Sequence, residues 1–375
     1  MPRYALLYLA LFLGWGVLSP FLPAVLAEQG ATPGEIGVIL GAGLALRLAA
    51  MPLAGRMADR HAAPRAVLAA ALLLAALAAL GYGAATGFAA LLLAGALQHA
   101  ATGPVGPLPD ALAVRAAAAP GARLGYGRLR GLGSAAFVAG TVLAGTAVGA
   151  TGAAGVVLWL HAACFLAAAA ATLALPAPPP LPSLPVPGRG AILPLLRLPA
   201  FRRMLLLTAL ISGSHALQTG YATLRWQEAG ISAAAIGWLW ALSVAAEILV
   251  FAGPGPRLLA RLGPGRVFAL AALAGILRWS VMAGTAALPA MLLAQPLHGL
   301  TFAAQHLAAM AVIARQVPPE ASATAQSLYA TFGIGLSGAA MTVIGGQLYG
   351  WVGAEAFWAM AALCLLALPA ARGLG

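Results

Sequence analysis

Between two apolar runs the chain reads GRMADRHAAPR, Gly55 to Arg65, and about 200 residues further on it reads RLGPGR, Arg261 to Arg266, again between two apolar runs. Arg60 and Arg65 thus have counterparts in Arg261 and Arg266, and Trp159 and Trp358 echo each other at nearly the same offset. A short arginine-bearing turn joining two long apolar segments is the inner end of a transmembrane hairpin. Its recurrence divides the sequence into two similar halves and predicts a parallel internal repeat.

Composition supports that reading. Of the 375 residues, 62% are hydrophobic and only 7% are charged. Soluble domains carry about 25% charged residues. Water cannot solvate such a surface, so lipid must, and the predicted class is an all-α membrane protein with many crossings. The formal net charge of +12 does not point to nucleic acid, because the basic residues are dispersed between apolar runs. All the basic residues are Arg, which is read as a compositional bias. Cys164 and Cys364 lie in separate apolar runs, which argues against a disulfide or a thiol motif. No His pair stands with carboxylates at metal-ligand spacing, so no metal or other cofactor is expected. The first apolar run is too long for a signal peptide and is read as a retained helix.

A helix needs about 20 residues to cross a ~30 Å hydrocarbon core. Twelve spans are predicted, at 4–26, 36–55, 65–85, 88–113, 126–150, 154–175, 202–224, 233–253, 265–286, 288–314, 322–348 and 351–370. With cytoplasmic termini, the inner loops and ends hold seventeen of the twenty arginines, Arg123 and Arg189 among them, and the outer loops only Arg225. One missed helix would scramble this asymmetry. The stretch LPAPPPLPSLPVPGRG, from Leu175, cannot be helical and reads as a linker. The expected organisation is a six-helix bundle over 1–175, a cytoplasmic linker over 176–200 and a second six-helix bundle over 201–375. The chain is expected in a bacterial-type plasma membrane, working as a monomer.

GRMADRHAAPR resembles the signature between helices two and three of the major facilitator superfamily, with Gly55, Asp59, Arg60 and Arg65 at its fixed positions. Further stretches are similar to the phenylpropionic acid permease family, kin of the lactose permease type of proton symporter. They are YGRLRGLGSAAFV at 126–138, GSHALQTGYATLRWQEAG, IGWLWALSVAAEILVF, LRWSVMAGTAALP, QPLHGLTFAAQHLAAM and AQSLY. The resemblance implies twelve helices in two pseudo-symmetric bundles, alternating access and proton-coupled uptake. It implies a gating role for the four signature residues.

Ionisable residues inside spans are functional candidates. Glu247 lies inside span eight and Arg278 inside span nine, both away from the span ends. His298 lies near the middle of span ten. A Glu–Arg pair at one depth would offset much of the cost of burying either charge, and a nearby His could share a proton. These three match in order the Glu, Arg and His of the lactose permease type, which implies that they couple transport to protons. Where that type has a second carboxylate one turn on, this chain has Thr301. Thr301, Gln305 and His306 continue a polar stripe on span ten, while His215 and Gln218 belong to span seven. Such stripes line a cavity or join helices, and these five residues are expected to help bind the substrate. In the first half, Asp110 and Arg130 resemble the acid and base that hold a sugar in the same type. Arg47 stands alone in span two, available to Asp110 or to an anionic substrate.

The reading is a proton-coupled symporter of a small organic solute, first an organic carboxylate, then a sugar or nucleoside. Efflux by proton antiport is the rival mechanism. A membrane-embedded enzyme would need a nucleophile–base or metal constellation, which the sequence does not offer. A non-transporting receptor would differ only in an uptake assay.

Overall fold

The structure, a computed structural model, describes residues 2–117, 125–176 and 192–374, and these are helices and their connections, without strands. Arg123, Arg189 and most of the Pro-rich stretch lie outside the described residues. Among those described, nine helices are long and apolar enough to cross a membrane. A tenth span consists of Pro2–Leu18 and Leu22–Glu28, bent by 46°. The run Pro319–Ala371 holds two spans, because the chain turns at Gly353 between Val352 and Ala356. The last is Pro199–Gly213 with Ala216–Glu228, whose polar residues keep it out of the apolar count. The twelve expected rods are all present.

The described residues within 1–182 and 230–241 form one compact unit, and those within 183–229 and 242–375 form another. In the first, Tyr4, Leu7, Tyr8, Leu11 and Phe12 of span one pack with Leu68, Leu72 and Phe165. The first half of span eight belongs to this unit, and two glycines let it lie on span five. A Cβ on Gly145 would come within 2.4 Å of the Ala233 carbonyl, and one on Gly237 within 2.5 Å of the Thr141 carbonyl. In the second unit Phe201, Met204, Leu207 and Ile211 pack with Phe268, Val312 and Tyr329. Large apolar side chains such as Leu77, Trp159, Leu249 and Leu293 are exposed, as a lipid-facing surface requires.

Several rods are interrupted where the sequence removes helical hydrogen bonds. Span four breaks between Gly87–Thr102 and Pro107–Ala117, at GPVGP. Span ten tightens to a 3₁₀ turn over Gln295–Leu297, at Pro296, and widens to a π-helical stretch over Gly299–Ala304. Broken backbone at membrane depth is tolerated only beside protein or a cavity. π-helical stretches are frequent at functional sites.

Span two, by contrast, runs as helix through Arg60, so Gly55, Asp59 and Arg60 lie on its last turns instead of in a loop. Met57, Ala58 and Arg60 are good helix formers, and the next helix begins only at Pro64. Arg65 donates from Nη1 to the Leu175 carbonyl, joining the start of span three to the end of span six.

The internal repeat is visible at the opposite ends of the hairpins. Glu28 Oε1 accepts from the Ala154 N–H at 2.8 Å, and Glu228 Oε2 accepts from the Tyr349 hydroxyl at 3.3 Å. Gly30 and Gly230 follow with φ of 85° and 78°. Thr32 and Ser232 then accept hydrogen bonds from the N–H groups of Glu35 and Ala235 at the next helix starts.

Candidate functional site

Arg278 is wholly buried in the second unit. Its Nη1 donates to His298 Nδ1 at 3.0 Å and reaches Thr301 Oγ1 at 3.5 Å, and its Nη2 donates to Gln295 Oε1 at 2.8 Å. The guanidinium also lies 4.6 Å from the Trp279 ring centroid. These acceptors all come from the irregular part of span ten, whose altered helical turns present residues 295, 298 and 301 to one cation. The other ring nitrogen of His298, Nε2, lies 3.6 Å from Glu247 Oε2. Gly299 allows that approach: a Cβ there would meet the Ala246 carbonyl of span eight at 2.7 Å.

The expected Glu–Arg pair is therefore replaced by a relay with His298 between the two charges. The ring's protonation follows from its partners. Arginine can only donate, so Nδ1 must offer its lone pair, and a neutral ring then carries its hydrogen on Nε2, toward Glu247. The same reasoning runs on through Thr301. His215 Nδ1 lies 2.9 Å from the Ile211 carbonyl and so donates to it. Its Nε2 is left to accept from the Thr301 hydroxyl at 2.9 Å. Arg278, Thr301, His215 and Ile211 thus form one directional chain.

Gln295 was not singled out from the sequence, yet it holds this cluster together. Its Oε1 receives Arg278, Ser243 Oγ at 2.7 Å and Gln218 Nε2 at 3.1 Å, from spans nine, eight and seven. Gln305 lies further along span ten and donates to Thr208 at 2.9 Å, while His306 Nδ1 meets the Tyr329 hydroxyl at 2.8 Å. These two join spans seven, ten and eleven instead of touching Arg278.

The first unit holds a pocket of about 290 Å³ lined by Trp15, Leu18, Ser19, Leu22, Arg47, Gln98, His99, Thr102 and Phe137. Arg47 stacks over Trp15 at 5.5 Å. Asp110, in the first turn of the second segment of span four, accepts from the Tyr8 hydroxyl at 2.5 Å. Arg130 lies 4.6 Å above the Phe12 ring. Tyr8, Phe12 and Trp15 form one stripe along span one, and Asp110, Arg130 and Arg47 meet it in that order.

A polar cluster bridging four spans in one unit and an arginine pocket in the other suit a membrane carrier. The sequence profile of the MFS_1 like family matches residues 1–360. The chain belongs to this family of major facilitator transporters. It is 35% identical to the probable 3-phenylpropionic acid transporter of Escherichia coli strain K12, over 98% of this chain and 95% of that one. It is 30% identical to the maltose permease of Geobacillus stearothermophilus, over 92% and 86%. Among solved structures, the nucleoside transporter NupG superposes with a TM-score of 0.81 at 18% identity, covering 100% of this chain and 97% of that one. A bacterial homologue of the human lysosomal transporter Spinster gives 0.73 at 16%, covering 100% and 96%. At such identities the structures speak for the fold alone. The major facilitator protein described here is a multi-pass secondary transporter of small molecules and not an enzyme.

Proposed function

We propose that this transporter carries a small organic carboxylate inward together with a proton, by alternating access, in a bacterial plasma membrane with both termini cytoplasmic. The observation that carries the coupling is the position of His298 between Glu247 and Arg278. His298 Nδ1 cannot take a proton without losing its bond to Arg278. The arriving proton therefore goes to the Glu247 carboxylate. While Glu247 is protonated, Arg278 rests on Gln295, Thr301 and His298. When Glu247 releases the proton, its negative charge draws the Nε2–H of His298 and the guanidinium behind it. Loss and gain of one proton thereby changes the forces between spans eight, nine and ten. His215, Gln218 and Thr301 serve this cluster, while Gln305 and His306 set the register of span ten against spans seven and eleven.

Arg47 supports a carboxylate as the substrate. It is the cation of a pocket that also offers Gln98, His99 and Ser19 for hydrogen bonds and Trp15 and Phe137 as apolar walls. Such a combination suits a small acid with an apolar body. The name of the Escherichia coli relative, a probable 3-phenylpropionic acid transporter, points the same way. Asp110 and Arg130 flank the stripe on span one, and Gly55, Asp59, Arg60 and Arg65 act at the inner ends of spans two and three as a gate. The test is uptake into proteoliposomes of a panel of carboxylates, sugars and nucleosides, with and without an inward proton gradient. Gradient-dependent accumulation confined to carboxylates is expected. Accumulation of a sugar or nucleoside, or uptake indifferent to the gradient, would overturn the proposal.

A further inference from the structure

We infer that Gln295 is a positioning residue for proton coupling: its side-chain oxygen anchors Arg278 away from Glu247 and thereby sets how readily Glu247 takes a proton. The inference rests on the proposal that Glu247 is the proton site.

A carbonyl oxygen has two lone pairs, and here three donors share one. The amide orientation is fixed chemically, since the guanidinium only donates and could not face an amide nitrogen. Of the hydrogen bonds that Arg278 donates here, the one to Gln295 is the shortest, 2.8 Å against 3.0 Å to His298 and 3.5 Å to Thr301. Gln295 is itself fully buried, so water does not compete for its oxygen. In a low-dielectric site a guanidinium without its anchor moves to the nearest strong acceptor. Past His298, that acceptor is Glu247.

A residue that merely glues helices together would behave differently from one that holds a charge in place. The titratable and charged groups around this point are His215 on span seven, Glu247 on span eight, Arg278 on span nine, His298 and His306 on span ten and Cys364 on span twelve. Of these, Glu247 is the carboxylate whose protonation would report a movement of Arg278. Gln295→Met keeps the side-chain length and removes the acceptor. Arg278 then leans toward ionised Glu247 and stabilises that form. Gln295→Glu keeps the shape and strengthens the anchor with a second negative charge, which holds Arg278 away and disfavours ionisation of Glu247. The two substitutions must move Glu247 in opposite directions. Loss of packing does not do that. Ser243→Ala removes another donor from the same oxygen and leaves Arg278 anchored.

The experiment is a pH titration of the Glu247 carboxyl band by infrared difference spectroscopy on the full chain in lipid, with no substrate added. The band is assigned in each variant by its loss on Glu247→Gln. The midpoint should fall by about one unit or more in Gln295→Met and rise by about one unit or more in Gln295→Glu, the range expected when a neighbouring charge moves. Ser243→Ala should leave it in place. A titrating band with the wild-type midpoint in both Gln295 variants would overturn the inference and leave the coupling proposal standing. Shifts of the same sign in all three variants would also overturn it, by making the oxygen a structural tie. If no band titrates in the wild-type chain, the coupling proposal fails and this inference with it.

Discussion

Arg278 donates to His298 Nδ1 across 3.0 Å, and that bond turns the other nitrogen of the ring toward Glu247. A direct Glu–Arg pair at this depth would be a static element, strongly bound and hard to remake. A neutral imidazole between the charges makes an arrangement that one proton can change.

The relay is open to test at its middle. His298→Asn can still offer Arg278 an acceptor near the Nδ1 position but cannot extend to Glu247. The protein should reach the membrane at close to wild-type yield. Gradient-driven uptake should fall at least about tenfold, equivalent to roughly 1.4 kcal/mol. Wild-type uptake in this variant would mean that Glu247 works without His298.

Arg278→Ala should be more damaging than removing both charges. It leaves the Nδ1 acceptor of His298 unmatched in a dry site, and a buried orphan of that kind costs about 1–3 kcal/mol. The double variant Glu247→Gln/Arg278→Gln keeps hydrogen-bonding groups at both places. Its thermal unfolding in detergent should come at a higher temperature than that of Arg278→Ala. The reverse order would argue against the network.

In the first unit, Arg47→Gln should raise KM for a carboxylate about tenfold or more with a smaller change in kcat, since it removes a contact made in the bound ground state. Trp15→Ala should weaken binding of aromatic acids more than that of short aliphatic ones. Equal effects on both classes would place the apolar part of the substrate elsewhere.

The topology can be read by single-cysteine labelling of intact cells. Gln227→Cys, at the end of span seven, should react with an impermeant maleimide. His61→Cys, in the turn between spans two and three, should react only after permeabilisation. Labelling of position 61 from outside would invert the proposed orientation.

The fold was legible because hydrophobic length and arginine asymmetry are properties of whole segments. The rods found at Tyr126–Thr151 and Ala233–Ala252 sit nearly where the sequence predicts them. Span seven was legible only through the alternation of loops, because its own composition is too polar. The site was half legible. Charges inside apolar runs announced Glu247, Arg278 and Arg47. A direct Glu247–Arg278 pair was expected, and the place of His298 between the two could not be read, since it depends on the rotation of span ten, which its 3₁₀ and π-helical turns alter. Gln295 stands one turn before His298 and extends the same polar stripe, a signal present in the sequence but interrupted by Pro296. Gln98 and His99 were not singled out, because neutral and weakly basic side chains in an apolar run give no signal as sharp as a lone Arg. The Glu28 and Glu228 correspondence is as regular as that of the arginine turns, yet it becomes informative only when each carboxylate is seen to hold a neighbouring hairpin.

Glu247→Gln tests the account most directly. Gln keeps the shape of the carboxyl and mimics its protonated form, so substrate should still bind and exchange across the membrane, while the empty carrier cannot reset by releasing a proton. Counterflow and gradient-driven uptake are measured in the same vesicles, with the carboxylate that the wild-type protein accumulates. The account predicts counterflow near the wild-type rate with no accumulation on a proton gradient. Uphill, pH-dependent accumulation at the wild-type level would contradict it and leave Glu247 as a packing residue.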